Sequence, residues 1–283
     1  GDLQDSDFIS FIMNRLKADV IFHCAAYKHV PMVESNPVAA ISNNVFGTKN
    51  LIEAAASCGV SRFVFISTDK AVEPISIYGA SKLIAEHLVL SSNGGPTAFM
   101  VVRFGNVLGS RGSIVPLFRK QILKGGPVTL THPEASRFFM TIPESASLVL
   151  KTGGVGKGSS LYILDMQEPI RIRDVAEQMI RFYGYSPDHE VPIRYIGLRP
   201  GEKIHEQLWR SPKPPVETEH KRILEMPKVG IESDSLNALL EDLKPVCFYS
   251  GVEPDSYRNR RILRDRLRRY VPSLELPENE PEY

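Results

Sequence analysis

The first half of the chain alternates short apolar runs with longer segments of helical periodicity. Runs of β-branched and aromatic residues predict buried strands at residues 19–24, 62–67 and 97–103. Between them, apolar residues at helical spacing predict helices over 36–57 and 78–91. Strands that alternate with helices imply βαβ units, whose right-handed crossovers build a parallel sheet with helices on both faces.

The second half is less regular. Helical spacing predicts helices at 116–123, 143–151, 172–183 and 235–243, and shorter apolar runs predict strands at 128–131, 138–141 and 161–164. Residues 211–215, with their prolines, are typical of a linker or an extended loop.

Residues 257–270 hold seven arginines. One interpretation is a contact with phosphate or a membrane. The interpretation that we favour is a terminal amphipathic helix, with Ile262, Leu263 and Leu267 facing inward and the arginines in solvent, because acidic residues follow at once.

Composition narrows the classes of function. The 283 residues carry 34 Lys and Arg against 33 Asp and Glu, a balance that argues against a dedicated nucleic-acid binder. The three cysteines lie far apart with no C-x-x-C motif, so we expect no disulfide scaffold, no metal site and a reducing, cytoplasmic location.

No apolar run approaches the roughly 20 residues of a membrane span. No signal peptide opens the chain, and Gly1 stands where an initiator methionine would, so we expect a piece of a longer protein.

Tyr78 and Lys82 lie four residues apart on a predicted helix and therefore share one face. We expect the Lys82 ammonium to favour the Tyr78 phenolate and to lower the pKa of Tyr78 from about 10. Such a phenolate can take the proton of a sugar hydroxyl while hydride leaves the carbon. The alternative is a surface pair at a spacing that also arises by chance.

Polar residues 67–70 (Ser-Thr-Asp-Lys) follow the second predicted strand. Parallel α/β sheets bind ligands at this edge, so Thr68 and Tyr78 are placed to converge on one substrate oxygen. The alternative is a polar strand end at which Thr68 or Asp69 caps a helix. The order and spacing of the two motifs favour an active site.

These motifs resemble those of the extended short-chain dehydrogenase/reductases, with Thr68, Tyr78 and Lys82 as the catalytic trio. More narrowly, the chain resembles the CapD-like polysaccharide-biosynthesis family of UDP-N-acetylglucosamine 4,6-dehydratases. The resemblance rests on six ordered segments, at residues 25–37, 44–48, 67–72, 103–112, 137–142 and 198–203.

The resemblance implies an α/β fold: a Rossmann-like, doubly wound parallel sheet that lacks its first βα units, with a smaller mixed α/β substrate-binding region. We expect residues 1–110 to form the remainder of an NAD(P)-binding Rossmann domain. Residues 111–210 are expected to bind mainly the nucleotide sugar, and residues 211–283 to form a helical extension.

The resemblance also implies a reaction. Tyr78, helped by Lys82 and Thr68, would remove the C4 hydroxyl proton of the UDP-sugar as hydride passes to NAD or NADP. Lys70 would then act as base at C5, and Asp69 would protonate the departing C6 hydroxyl, giving a 4-keto-6-deoxy sugar after hydride returns. A 4-epimerase needs no such acid and base, so Asp69 and Lys70 favour dehydration. A noncatalytic nucleotide-sugar-binding module is the alternative from another class.

Binding roles follow from the same resemblance. Cofactor contacts are expected from Asp2, Leu3, Ala25, Ala26, Tyr78 and Lys82, and substrate contacts from Lys28, Ser67, Asn106, Arg137, Arg199 and Glu202. Taken singly, each Arg or Glu is more often a solvated surface charge. A homo-oligomer is expected on the resemblance alone.

One family motif is absent: the glycine-rich G-x-x-G-x-x-G turn that holds the cofactor pyrophosphate at a helix N-terminus. We therefore expect roughly 60 residues, about two βα units, to be missing upstream of Gly1. The C-terminal third also resembles the long, membrane-anchored branch of the family, which implies a parent protein anchored at the cytoplasmic face of the inner membrane through its missing N-terminal region. The residues that select NAD or NADP would lie in the same missing part.

Overall fold

The computed structural model describes residues 1–92, 94–110, 112–210, 214–227, 231–277 and 279–283. Its helices are α1 (Ser6–Leu16), α2 (Val30–Ser35), α3 (Pro37–Ile41), α4 (Gly47–Ser57), α5 (Ile77–Ser91), α6 (Ile114–Ile122), α7 (Ile142–Val155), α8 (Ile172–Phe182), α9 (Ser233–Cys247) and α10 (Arg260–Tyr270). Its strands are β1 (Val20–His23), β2 (Arg62–Thr68), β3 (Ala98–Phe104), β4 (Asn106–Val107), β5 (Val128–Leu130), β6 (Ser136–Arg137), β7 (Phe139–Met140), β8 (Ser160–Leu164), β9 (Ile170–Arg171), β10 (Ile193–Tyr195), β11 (Val216–Glu217) and β12 (Ile223–Glu225). Residues 211–213 of the predicted linker, and Arg111 of the 103–112 segment, lie outside the described residues.

A six-stranded sheet in the order β1-β2-β3-β8-β12-β11 forms the centre of the fold. The first four strands run parallel and confirm the strands predicted at 19–24, 62–67, 97–103 and 161–164. β12 and β11 add to the sheet in the antiparallel sense. That pair was not predicted, because its strands are too short and too polar to show an alternating pattern.

Helices cover both faces of the parallel strands, as a doubly wound sheet requires. On one face, the His23 ring nitrogen Nε2 lies 2.8 Å from the Thr48 hydroxyl of α4. On the other, α7 packs so closely that a Cβ added to Gly153 would lie 2.9 Å from the Phe22 ring. Phe22 and His23 are neighbours in β1, so their side chains point to opposite faces.

The apolar side chains form two clusters. The larger one is built on the central sheet and includes α7, α9 and α10. The smaller one joins α6, α8 and β5, with Phe118, Ile122 and Ile180 buried at its centre. The second cluster corresponds to the smaller mixed region predicted from the sequence. The boundaries at 110 and 210 stay a prediction, since α7 and β8 fall within 111–210 but pack in the larger cluster.

The predicted helices are present, with two additions before residue 36. The helix predicted over 36–57 is α3 and α4 joined by a π-helical turn over Ser42–Phe46. α1 is amphipathic, with Ile9 and Met13 buried, and the Asp5 carboxylate accepts from the Phe8 amide at its start. α2 begins directly after His29 and has Pro31 in its first turn. In the described part of the chain, no helix combines the length and the apolar character needed to cross a bilayer.

α10 confirms the predicted amphipathic helix of the arginine-rich segment, with Leu263 and Leu267 fully buried. The expectation that its arginines lie in solvent is wrong for Arg264, whose side chain is 1% exposed. The tail after α10 folds back over this side chain, and Glu280 pairs with it at 2.5 Å. A buried guanidinium of this kind needs such a partner, because an unpaired buried charge is costly.

Candidate active site

A cavity of about 450 Å³ opens at the carboxyl ends of β1, β2 and β3. It is bounded by the segment after β1, by the β2–α5 connection and by the loops around residues 105–115 and 199–206. The predicted site residues that line it are Ala26, Lys28, Ser67, Thr68, Lys70, Tyr78, Lys82, Asn106, Arg137, Arg199 and Glu202. Asp2, Leu3, Ala25 and Asp69 are not among its lining residues. A second cavity, of about 510 Å³, lies between α4 and α9 and holds none of the predicted residues.

The end of β2 places the first three predicted catalytic residues. The Thr68 hydroxyl donates to Asp69 Oδ1 at 2.8 Å and accepts from the Lys70 amide at 3.4 Å. Thr68 thus caps the short 3-10 turn over Asp69–Ala71, so the capping interpretation and the active-site interpretation describe the same side chain. Asp69 is fully buried, and among the described residues its second oxygen, Oδ2, has no hydrogen-bond partner.

The Lys70 ammonium sits among three oxygen-bearing side chains. Its Nζ lies 3.0 Å from Asp69 Oδ1, 3.4 Å from Asn106 Oδ1 and 3.6 Å from Glu206 Oε1. Burial works to lower the pKa of Lys70, but the Asp69 and Glu206 carboxylates outweigh burial, so the pKa is raised. Lys70 therefore rests as an ammonium paired with Asp69.

Glu206 is a site residue that the sequence analysis missed. It is buried, it lines the cavity, and its Oε2 has no hydrogen-bond partner among the described residues. Burial raises the pKa of Glu206, while Lys70 opposes that shift. The sequence feature that could have indicated Glu206 is its position three residues beyond the family-like segment 198–203.

The expected effect of Lys82 on Tyr78 is wrong. Burial raises the pKa of Tyr78 to about 12, and the groups that work in the opposite direction are the Lys70 ammonium and the Thr68 hydroxyl. The Lys82 Nζ instead donates to the Ile66 carbonyl oxygen at 2.6 Å. The shared helix face brings Tyr78 and Lys82 to the same cavity, but Lys82 extends towards the sheet.

Lys82 is a buried amine with little compensation. Its Nζ lies 3.8 Å from the centre of the Phe65 ring, and burial lowers its pKa to about 7, although Glu86 opposes this shift. Among the described residues the Ile66 carbonyl takes one N–H of this side chain, which carries two hydrogens as an amine and three as an ammonium. Lys82 can therefore donate further hydrogen bonds to a ligand in the cavity.

The low pKa of Lys82 predicts a pH-dependent stability. Between about pH 7 and pH 10 the unfolded chain binds a proton on this amine that the folded chain does not, so folding is favoured as pH rises. The free energy of unfolding of the wild type relative to Lys82→Met is expected to rise by up to about 1.4 kcal/mol per pH unit over this range. Urea unfolding at stepped pH measures the difference, with the exposed Lys124→Met as the matched control. A difference that stays flat across this range would show that Lys82 keeps its ordinary pKa.

Two small details fix α5 against the cavity. A Cβ on Gly79 would lie 2.2 Å from the Lys70 carbonyl oxygen, so only glycine fits between the 3-10 turn over Asp69–Ala71 and the helix. Asn44 accepts from the Tyr27 amide at 2.8 Å and donates to the Ser81 hydroxyl at 3.0 Å. The segment after β1 and the helix that carries Tyr78 are thereby held together.

Cationic side chains line the outer part of the cavity. The Arg137 guanidinium donates to the carbonyl oxygens of Ser136, Lys203 and Ile204 at 2.7–2.8 Å. These partners are neutral, so the positive charge of Arg137 remains available to an anion. Arg199 lies 3.9 Å from Glu202 in a looser pair, and Lys28 Nζ is 3.5 Å from the Ser110 hydroxyl.

The residues around Lys82 fit the nicotinamide end of a dinucleotide. The Ser67 hydroxyl is buried without a hydrogen-bond partner among the described residues, Lys82 has donors to spare, and Ala26 leaves space at the cavity wall. Polar groups left unsatisfied in this way are the kind that a ligand's hydroxyls complete. The glycine-rich pyrophosphate turn is not part of this sequence, so the fit concerns this end alone.

Residues 1–228 match the model of a family described as polysaccharide biosynthesis protein. The chain belongs to this family. The structure of the chain is similar to that of Pen from Bacillus thuringiensis, with a TM-score of 0.72 and 34% identity over 85% of this chain and 80% of that one.

Three relatives have names that point to different roles. The capsular polysaccharide biosynthesis protein CapD of Staphylococcus aureus is 50% identical over 74% of this chain and 35% of its own length. A UDP-N-acetylglucosamine 4,6-dehydratase (inverting) of Campylobacter jejuni is 35% identical over 75% of this chain and 61% of its own length. A UDP-glucose 4-epimerase of Rickettsia rickettsii is 34% identical over 86% of this chain and 73% of its own length. The chain thus spans about a third of CapD.

Proposed function

We propose that this chain carries the catalytic site of a nucleotide-sugar 4,6-dehydratase that acts on UDP-N-acetylglucosamine with NAD or NADP. The observation that carries the proposal is the Asp69–Lys70 pair: Lys70 lines the cavity together with Thr68 and Tyr78, and the fully buried Asp69 lies with its Oδ1 3.0 Å from Lys70 Nζ. Dehydration needs an acid and a base near C5 and C6 of the sugar, and this pair supplies both. A relative named as such a dehydratase supports the same assignment.

The chain's own residues would hold both ligands. Arg137, Arg199 and Lys28 offer positive charge to the diphosphate of the sugar nucleotide, and Asn106 and Glu202, which line the same cavity, would bind the rest of that nucleotide. Lys82, Ser67 and Ala26 would hold the nicotinamide end of the cofactor. When bound, this cofactor supplies a hydride acceptor at C4 and later a hydride donor at C6.

Tyr78 would take the C4 hydroxyl proton, with Thr68 directing the same oxygen. At neutral pH Tyr78 is largely protonated because burial raises its pKa to about 12. The Lys70 ammonium and the Thr68 hydroxyl both favour its phenolate. Deprotonation of the sugar therefore begins from the phenolate fraction that these two groups sustain.

A single proton transfer converts the ion pair of Lys70 and Asp69 into the neutral base and acid that elimination needs. Moving a proton from Lys70 Nζ to Asp69 across their 3.0 Å contact gives a neutral amine and a carboxylic acid. The amine takes the proton at C5, which the C4 ketone has acidified, and the acid gives its proton to the C6 oxygen as the C6–O bond breaks and water leaves. The step ends with Lys70 as an ammonium and Asp69 as a carboxylate, so the resting ion pair is restored.

The test is turnover in heavy water with UDP-N-acetylglucosamine and NAD or NADP, using the full-length protein. The expected product has lost one water and carries deuterium at C5, by mass spectrometry and sugar NMR. A product of unchanged mass with the opposite C4 configuration would overturn the proposal. Binding of several UDP-sugars without conversion of any would instead support a noncatalytic module.

The second candidate is a nucleotide-sugar 4-epimerase. Its support is the Rickettsia rickettsii relative, which matches a larger share of this chain than the dehydratase does. Epimerisation would use Tyr78 and Thr68 alone and would leave Asp69 and Lys70 without a chemical role. We therefore place it second. A homo-oligomer and a cytoplasmic location stay predictions.

A further inference from the structure

The C-terminal part of the chain lies outside the family match, which ends at residue 228. α9 nevertheless packs against α5, which carries Tyr78 and Lys82, and both α9 and α10 pack against α3. We propose that this extension positions the N-terminus of α5, and with it Tyr78, through a relay from Arg264 to Glu34. The catalytic meaning of the relay rests on the proposed function, since it takes Tyr78 as the proton-transferring group.

The relay ends on the backbone next to Tyr78. Glu34 Oε1 accepts from the amide of Ile77 at 2.7 Å. Ile77 is the first residue of α5, and its amide is one of those that the helix itself leaves without a partner. A carboxylate at a helix N-terminus is also favoured by the helix dipole. Glu34 therefore fixes the position at which α5 begins, one residue before Tyr78.

The relay begins on α10. Arg264 Nη2 lies 2.6 Å from Glu34 Oε2, and Arg264 Nε lies 2.5 Å from Glu280 Oε2. The Arg264 and Glu34 side chains are 1% and 10% exposed, so water does not substitute for either partner. Buried pairs of this kind are sensitive to the loss of one partner, because the other charge is then uncompensated. The orientation of the Glu34 carboxylate thus depends on α10.

Two more contacts reach the same stretch of backbone from the tail after α10. The Ser273 hydroxyl donates to the Pro74 carbonyl oxygen at 2.9 Å, and the Glu275 amide donates to the Ile75 carbonyl oxygen at 3.2 Å. Together with Glu34, these bonds hold residues 74–77 from outside the cavity. The extension is therefore attached to the segment that leads into Tyr78 at several points.

The loop that carries Arg199 and Glu202 packs at the same place. A Cβ on Gly201 would lie 2.7 Å from Ser76 Cβ and 3.4 Å from Glu34 Oε1. Glu34 is thus packed between the start of α5 and the loop on the outer side of the cavity. A shift of the Glu34 carboxylate would therefore displace both the start of α5 and the loop that carries Arg199 and Glu202.

The experiment compares three variants of the full-length protein. Glu34→Gln keeps an acceptor for the Ile77 amide but removes the charge that Arg264 holds. Arg264→Gln removes the other partner, and Arg269→Gln, on the same helix with a side chain 73% exposed, is the matched control. The measurement is amide hydrogen exchange by mass spectrometry on peptides covering 74–80 and on peptides from β2 and β3. No substrate or cofactor is needed for this readout.

We expect exchange in 74–80 to become about tenfold faster in Glu34→Gln and Arg264→Gln, with β2 and β3 unchanged and Arg269→Gln like the wild type. With sugar nucleotide and cofactor, kcat should fall about tenfold in these two variants while KM changes little. Exchange that is unchanged or uniformly faster, or an unchanged kcat, would overturn the proposal. If Arg264→Gln does not fold, Glu34→Gln decides alone. A wild type that converts no sugar would overturn the proposed function, whereas the exchange pattern would still decide whether the relay exists.

Discussion

Replacing Lys70 by methionine is expected to slow the loss of water from the sugar by about 10²- to 10⁴-fold, the range of a general base. Methionine fills a similar space but neither accepts nor donates the proton at C5. The substitution also removes the cation that lies 3.0 Å from Asp69 and 3.6 Å from Glu206. Asp69 then has no proton to receive from its neighbour, so the acid is lost together with the base.

The measurement separates elimination from oxidation. Product mass reports the loss of water, and absorbance of the reduced cofactor in a single turnover reports hydride transfer from C4. Hydride transfer is expected to remain in Lys70→Met at a reduced rate, because Lys70 also favours the Tyr78 phenolate. The exposed Lys124→Met serves as the control. Undiminished water loss in Lys70→Met would exclude this residue as the base.

The largest expected effect on stability comes from Glu86→Ala, at about 3–5 kcal/mol. Glu86 and Arg103 form a two-pronged pair between α5 and β3, with oxygen–nitrogen distances of 3.0 and 2.5 Å. The Glu86 side chain is 1% exposed and that of Arg103 is 9% exposed, so the alanine variant leaves a buried guanidinium. Arg103 also donates to the Leu208 carbonyl oxygen at 3.1 Å, but this neutral group cannot neutralise the guanidinium.

Urea unfolding measures this loss. Glu53→Ala, which breaks the exposed Lys49–Glu53 pair one turn apart on α4, should cost only about 0.3–0.5 kcal/mol. The double variant Glu86→Leu, Arg103→Met should cost less than Glu86→Ala, since it leaves no unpaired charge. If Glu86→Ala costs no more than Glu53→Ala, then water reaches Arg103 and the pair is not buried in solution.

Periodicity was enough to predict the parallel sheet and most helices. The strands at 62–67 and 97–103 are long, β-branched and flanked by turns, and they pair as β2 and β3 over seven residue pairs. Thr68 and Tyr78 could be brought together because the edge of a parallel sheet is a general ligand site. For these elements the local residue pattern and the overall fold favour the same structure, and this is why they could be predicted from the sequence.

The features that the sequence did not predict depend on the direction of a side chain or on contacts between segments that are distant in sequence. Lys82 shares a helix face with Tyr78, yet spacing alone could not reveal that its ammonium reaches the Ile66 carbonyl instead. Glu206 becomes part of the site only because a loop returns to β2 from more than a hundred residues away. Arg264 looks like its solvated neighbours in sequence, and the returning tail that buries it carries no periodic signal.

The π-helical turn over Ser42–Phe46 determines how far α4 is rotated about its own axis relative to α3. Each residue of an α-helix advances it by about 100°, so one residue fewer in this turn would rotate α4 by that amount about its axis. Thr48 would then turn away from His23, and Asn44 could no longer hold both Tyr27 and Ser81. The turn thus makes this stretch intolerant of changes in length, whereas many surface loops accept them.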